Sequence, residues 1–191
     1  SYGLLSKELV GKIIKIAKEK KILITADSQS SSQLGDLSKF NGIDLISATE
    51  YEARIELKDN KSGLVFIAEE LRRQLNIKHL LLKLGPGGVL ISGANNKGKE
   101  LPTEQIEALN LNPIDVSGAG DSLLSAASLT LATGSNLRDS GLIGSIAAAI
   151  QVSRVGNVPI SKNEIERIIK HWKHYYWLPA KVVGLENLPT V

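Results

Sequence analysis

The chain contains no cysteine in its 191 residues, which excludes disulfides and thiolate metal sites and leaves no record of a redox compartment. Aromatic residues are scarce, at 4% of the chain, with a cluster near the C-terminus. A nucleic-acid binder needs basic side chains interleaved with exposed aromatics, so the net charge of +3 does not point to that class. Lys12, Lys15 and Lys18 read as the solvated face of a helix. No apolar run reaches the roughly 20 residues that span a bilayer. The longest candidate, Leu142 to Val152, is broken by Gly144, Ser145 and Gln151. No basic leader is visible at Ser1-Tyr2-Gly3-Leu4-Leu5, and a cytoplasmic location without a membrane partner is expected. Internal repeats, low-complexity blocks and interdomain linkers are also missing, so a single soluble globular unit is expected.

What is present is an alternation of helix and short apolar strand. Apolar residues at Leu5, Leu9, Ile13, Ile16 and Ala17 have helical spacing over 4–20, with Ser6 as N-cap. Lys21 to Ala26 reads as a buried strand ending at Asp27, and a polar loop with one turn of helix follows over 28–39. Strands are expected over 43–47, 79–84 and 89–92, and helices over 50–57 and 64–75. Gly85-Pro86-Gly87-Gly88 forms a tight turn, and Asn95 to Gly98 a hairpin tip. This is the pattern of a parallel sheet covered by helices. Three helices follow, over 118–133, 136–154 and 162–172. The first two are rich in small residues, and Gly144 with Ala147-Ala148-Ala149 permits close approach of a helix or a flat ligand. The stretch His174 to Pro179 reads as a docked tail, giving a main unit over 1–172 and a tail over 173–191.

Chemistry is concentrated in Asp115-Val116-Ser117-Gly118-Ala119-Gly120-Asp121, directly ahead of a helix. A small-residue loop that opens a helix leaves backbone N–H groups unpaired, and the helix dipole adds positive charge there. Phosphate oxygens suit such a place. Gly118, Ala119 and Gly120 lack the bulk that would hold a phosphoryl group away. A carboxylate at Asp121 is placed to accept the proton of an attacking hydroxyl. The plain alternative makes Asp121 a helix N-cap and the glycines turn residues. A dinucleotide fingerprint is excluded, because Gly118 and Gly120 have no third glycine at the required offset.

These residues resemble the C-terminal signature of the ribokinase (PfkB-like) carbohydrate kinases, D-[TS]-x-[GA]-[GA]-G-D, which 115–121 match except at Val116. Ala147 to Gly156 is similar to the family's adenine-pocket segment, and Lys83-Leu84-Gly85-Pro86-Gly87-Gly88 to its nucleotide-contacting T-L-G-x-x-G turn. Ser47-Ala48-Thr49-Glu50 stands where the family has N-x-x-E. The wording of 115–121 and the setting Glu50-Tyr51-Glu52-Ala53 most resemble the heptose-phosphate kinase branch of ADP-heptose synthesis.

The resemblance implies a ribokinase-like three-layer α/β/α sandwich with a mostly parallel sheet, lacking its N-terminal part and lid. It implies ATP and Mg2+ as cofactors, with K+ in some members, and a sugar or sugar phosphate as the other substrate. Asp121 would be the catalytic base, with Gly118, Ala119 and Gly120 as an anion hole. Lys83, Gly85, Gly88, Gly120, Ser145 and Gly156 would border the nucleotide, and Glu50 would organise Mg2+ through water. Asp115, Ser117, Gln151, Arg154 and Gly156 match positions that hold a monovalent cation, largely through backbone carbonyls. Lys83 in place of Thr and Ser47 in place of Asn depart from the family pattern. The activity expected is transfer of the γ-phosphoryl group of ATP to a sugar hydroxyl, with the chain inactive alone for want of half the acceptor site. A homo-oligomer and a fused nucleotidyltransferase domain are the partners considered, along with an apolar face left open for association. The competing readings are a nucleotide-binding regulatory module without catalysis and a nucleoside kinase of the same fold. Asp121→Asn separates the first from a working kinase.

Overall fold

In the computed structural model, residues 5–28, 36–95 and 97–175 are described. They contain six α-helices and a five-stranded sheet. The described residues divide into two compact units: those up to Leu84 with Leu90–Gln105, and Gly85–Val89 with those from Ile106 onward. The chain passes between the units at 84/85, 89/90 and 105/106, so neither unit is a contiguous stretch of sequence.

The first unit is built on the sheet, ordered β1-β2-β3-β4-β5. Its strands are β1 (Thr25–Asp27), β2 (Leu45–Thr49), β3 (His79–Lys83), β4 (Val89–Gly93) and β5 (Glu104–Ile106). β1 pairs with β2 and β2 with β3 in parallel. The short link from Lys83 to Val89 allows only an antiparallel return, and Ala94 bridges Glu100 antiparallel beyond β4. β2 and β3 are near-continuous apolar runs because both of their faces are buried. Ile46, Ala48, Leu80, Leu82 and Leu90 share a core with Val10 of α1 (Lys7–Glu19), Ala53 of α2 (Glu50–Leu57) and Ile67, Ala68 and Leu71 of α3 (Leu64–Gln74). Leu45, Leu81, Val89 and Ile91 are likewise buried.

The expected strand boundaries shift by one to four residues, and one strand, β5, was not expected. β1 is three residues long and not six, because Lys21 takes a left-handed conformation (φ 55°) to leave α1 and the Asp44 carboxylate takes the Ile24 N–H at 2.9 Å. β5 has too little apolar content to read as a strand. α1 begins at Ser6, whose hydroxyl accepts the Leu9 N–H. It buries Val10 and Ala17 but leaves Leu9, Ile13 and Ile16 exposed, with Leu5 ahead of them. Part of the 28–39 loop, Asn96 and everything beyond Tyr175 lie outside the described residues, including the tail from Tyr176 onward. Leu37–Phe40 forms one turn of 3-10 helix at the end of that loop.

The second unit contains α4 (Ala119–Ala132), α5 (Leu137–Val152) and α6 (Lys162–Tyr175), the last running three residues past its expected end. The small residues serve helix contact here. A Cβ on Gly144 would lie 2.6 Å from the Leu123 carbonyl oxygen and 3.2 Å from the Ala127 side chain. α5 and α6 close a second core through Ile143, Ile146, Ile150 and Ile169. No helix among the described residues is long and apolar enough to cross a membrane.

His79 opens β3 and is 6% exposed, with its Nδ1 unpartnered. Burial pushes its imidazole from 6.5 down to about 4, and Lys78 acts in the same direction. The folded chain therefore holds His79 neutral where the unfolded chain already binds a proton. That contribution is complete above pH 6.5 and is lost as pH falls towards 4. It amounts to about 3 kcal/mol, at 1.36 kcal/mol per pKa unit. Urea unfolding followed from pH 7 to pH 4 is expected to lose stability more steeply in the wild-type chain than in His79→Gln.

Candidate active site

The geometry of the second unit starts with the loop ahead of α4. Asp115 accepts the Ser117 N–H on Oδ1 and the Gly156 N–H on Oδ2, both at 2.9 Å. These two amides, with the Ser117 hydroxyl, hold its carboxyl below the usual carboxylate range. From the other side, Gln151 of α5 donates from Nε2 to the Ser117 carbonyl at 3.2 Å and the Gly156 carbonyl at 2.8 Å. One carboxylate and one amide thus clamp segment 115–118 to segment 153–157.

The clamp delivers the chain into α4 through Gly118, whose φ of 73° is left-handed. A Cβ there would meet Asn157 Oδ1 at 2.6 Å. Asn157 was not among the expected site residues, and only its place after Gly156 hints at it. No side chain caps α4. Ala119 returns its N–H to the Val116 carbonyl at a long 3.3 Å, so one of the three expected anion-hole amides already has a weak internal partner. Asp121 is not the N-cap. It stands in the first turn, exposed, with no hydrogen bond or ion pair of its side chain among the described residues. An uncapped helix start with a free carboxylate one step inside it fits an anionic group that must also give up or receive a proton.

The remaining expected residues fall in both units. Gly85 (φ 58°) and Gly88 (φ 83°) shape the turn before β4, and a Cβ on Gly88 would lie 2.1 Å from the Ile106 carbonyl oxygen. Ser145 is buried within α5. Arg154 donates from Nη1 to Glu164 at 2.9 Å and from Nη2 to the Val158 and Pro159 carbonyls, tying the loop after α5 to α6. Its guanidinium is structural.

In the first unit, Lys83 and Glu50 lie at the carboxyl ends of β3 and β2, where open parallel sheets take ligands. Lys83 Nζ meets Asp27 Oδ1 of β1 at 2.8 Å, with both side chains about four-fifths buried. It does not reach towards solvent. Glu50 accepts from Arg54 Nε at 2.7 Å and remains 41% exposed. Asp27 and Arg54 are partners that the strand and helix patterns alone did not announce. Thr49 and Glu52 close a capping box around the start of α2, which fixes the direction of Glu50. No cluster of three acidic or histidine side chains able to hold a metal occurs among the described residues.

With this arrangement in view, the comparisons with known proteins define its class. The profile of the pfkB family carbohydrate kinases matches residues 3–163, and the chain belongs to that family. It is similar to the bifunctional protein HldE of Nitrosococcus oceani, at 27% identity over 88% of this chain and 34% of the relative. HldE of Sulfurimonas denitrificans is 28% identical over 100% of this chain and 38% of its own length. Among solved structures, Arabidopsis thaliana ribokinase complexed with ribose and ATP superposes with a TM-score of 0.72, at 17% identity over 86% of this chain and 53% of that one. Phosphofructokinase-2 of Escherichia coli in complex with potassium gives 0.71, at 20% identity over 88% and 53%. The fold is therefore ribokinase-like, with a mixed sheet, and the chain spans little more than a third of the curated relatives' length and about half of the solved ones.

The two tight glycines separate conformational from steric cost. Gly118→Ala forces a left-handed alanine, about 1–2 kcal/mol, against an Asn157 side chain that is free to swing away. Gly88→Ala adds a clash with fixed backbone to the same penalty. Thermal melts are expected to rank Gly88→Ala as the more destabilised, and equal melting points would contradict the close approach at Ile106.

Proposed function

We propose that this chain is the nucleotide-binding and catalytic-base part of an ATP-dependent kinase, transferring the γ-phosphoryl group to a hydroxyl of a sugar or sugar phosphate. The observation that carries the reading is the exposed, unpartnered Asp121 in the first turn of an uncapped α4. Family membership supports a carbohydrate acceptor. The bifunctional relatives, together with the resemblance of 115–121 to the heptose-phosphate branch, support a heptose phosphate acceptor and a fused nucleotidyltransferase in the complete protein.

In this reading the acceptor hydroxyl approaches Asp121, and a carboxylate oxygen takes its proton as the new O–P bond forms and the bond to ADP breaks. The N–H groups at the start of α4, chiefly those of Gly120 and Asp121, face the charge on the transferring oxygens, with the helix dipole behind them. Ala119 contributes after giving up its long bond to Val116. Gly85, Gly88, Ser145 and Gly156 border the nucleotide, the glycines because backbone must come close. Magnesium would neutralise phosphate charge when bound. Glu50 is the residue that would hold it through water, and its exposed carboxylate, paired by a single bond to Arg54, fits that task. Lys83 is held by Asp27 in its own unit.

A polypeptide joining this chain to the N-terminal half of a pfkB family kinase tests the reading. Asp121→Asn is expected to lower kcat by a factor of about 100 to 10,000, the range for removing a general base, while ATP affinity is retained. Turnover indifferent to the substitution would leave a nucleotide-binding module without catalysis.

A further inference from the structure

We infer that Gln151 replaces a monovalent cation in this chain, its side-chain amide holding together the carbonyls that an ion would otherwise bridge. Five residues were assigned to such an ion from the sequence: Asp115, Ser117, Gln151, Arg154 and Gly156. Their arrangement does not fit one. Gln151 is 1% exposed, and its Nε2 lies within hydrogen-bond distance of both the Ser117 and the Gly156 carbonyl oxygens. An atom that close to both oxygens occupies the position between them. The Asp115 carboxylate, the formal negative charge in the set, spends both oxygens on the backbone N–H groups of Ser117 and Gly156. Arg154 directs its guanidinium to Glu164 and to the Val158 and Pro159 carbonyls, so its side chain adds no oxygen ligand to the set.

Charge and geometry agree on what the amide does. A cation between carbonyls works by offering positive charge to lone pairs that would repel each other. The NH2 group of a glutamine offers the same through two N–H dipoles in a fixed fork. It enters on α5, so the ordering of the loop is built into the helix and not borrowed from solution. Orientation of the amide is the point at issue, since nitrogen and oxygen have the same outline. Turned over, Oε1 would face two other oxygens at bonding distance, an arrangement only a cation holds together. As oriented, Oε1 is buried without a partner, and the two carbonyls have taken the nitrogen. Salt dependence therefore distinguishes the two states directly, and neither the hydrogen bonds nor the test depends on catalysis.

The test is hydrogen exchange of segments 114–122 and 153–158 in the intact chain, with KCl and then choline chloride at equal ionic strength. Exchange is expected to agree within about two-fold in the two salts, because no ion orders these segments. Gln151→Ala is expected to exchange faster there, by about ten-fold or more in choline chloride, since two buried carbonyls lose their donor. Protection that rises with KCl in the wild-type chain would overturn the inference, as would unchanged exchange in Gln151→Ala. If that variant does not fold, the wild-type salt series decides alone.

Discussion

The start of α4 has its shape because two side chains from outside the helix satisfy the backbone around it. Asp115 accepts two N–H groups and Gln151 donates to two carbonyls, so the N–H and C=O groups of Ser117 and Gly156 are paired without using the first turn of the helix. That distinction matters chemically. A helix start capped by its own serine or aspartate would have its dipole answered from within. Here the bracing lies one step upstream, and the field of α4 stays directed at whatever approaches Gly120 and Asp121. The exposure of Asp121 follows from the same geometry: with the loop secured elsewhere, its carboxylate is not needed as a cap.

The first unit handles charge differently. Lys83 and Glu50 each stand at the end of a parallel strand, and each is paired, with Asp27 and Arg54. The two pairs are not equivalent. Lys83 and Asp27 are largely withdrawn from water, so parting them leaves each charge poorly solvated. Arg54 also donates to the Ser62 and Asp59 carbonyls, so Glu50 can release its partner without stranding it. Of the two residues, Glu50 is therefore the readier to exchange a protein partner for a hydrated ion.

Much of this was legible in the sequence, for reasons that differ by element. β2 and β3 were readable because burial on both faces forces uninterrupted apolar runs, as in Leu45 to Ala48 and Leu80 to Leu82. α4 and α5 were readable from small residues at helical spacing, although only the Gly144 contact with Leu123 decides between a helix and a ligand as the neighbour. Asp121 stood out because the loop ahead of it, Ser117 to Gly120, is made of small residues. What stayed hidden depends on partners distant in sequence. Asp44 substitutes for a strand at Ile24, shortening β1. Lys83 meets Asp27 across 56 positions. The division into two units follows from the path through 85–89, which no local pattern records.

Gln151 shows why residue type and residue role separate at such distances. Read along the chain, a glutamine close to Ser117 and Gly156 in the family pattern resembles one more oxygen ligand. Whether it offers oxygen or nitrogen is decided by what faces it. Two carbonyls, both fixed by the Asp115 clamp, can be satisfied only by a positive partner, and the side chain already carries one. A lysine there would bring a full charge at a larger desolvation cost, and a serine would be too short to reach both oxygens. The glutamine meets both limits: it is neutral enough to bury and long enough to bridge. The same residue that looks like half of an ion site in the sequence is, by its hydrogen bonds, the reason the loop has no need of the ion.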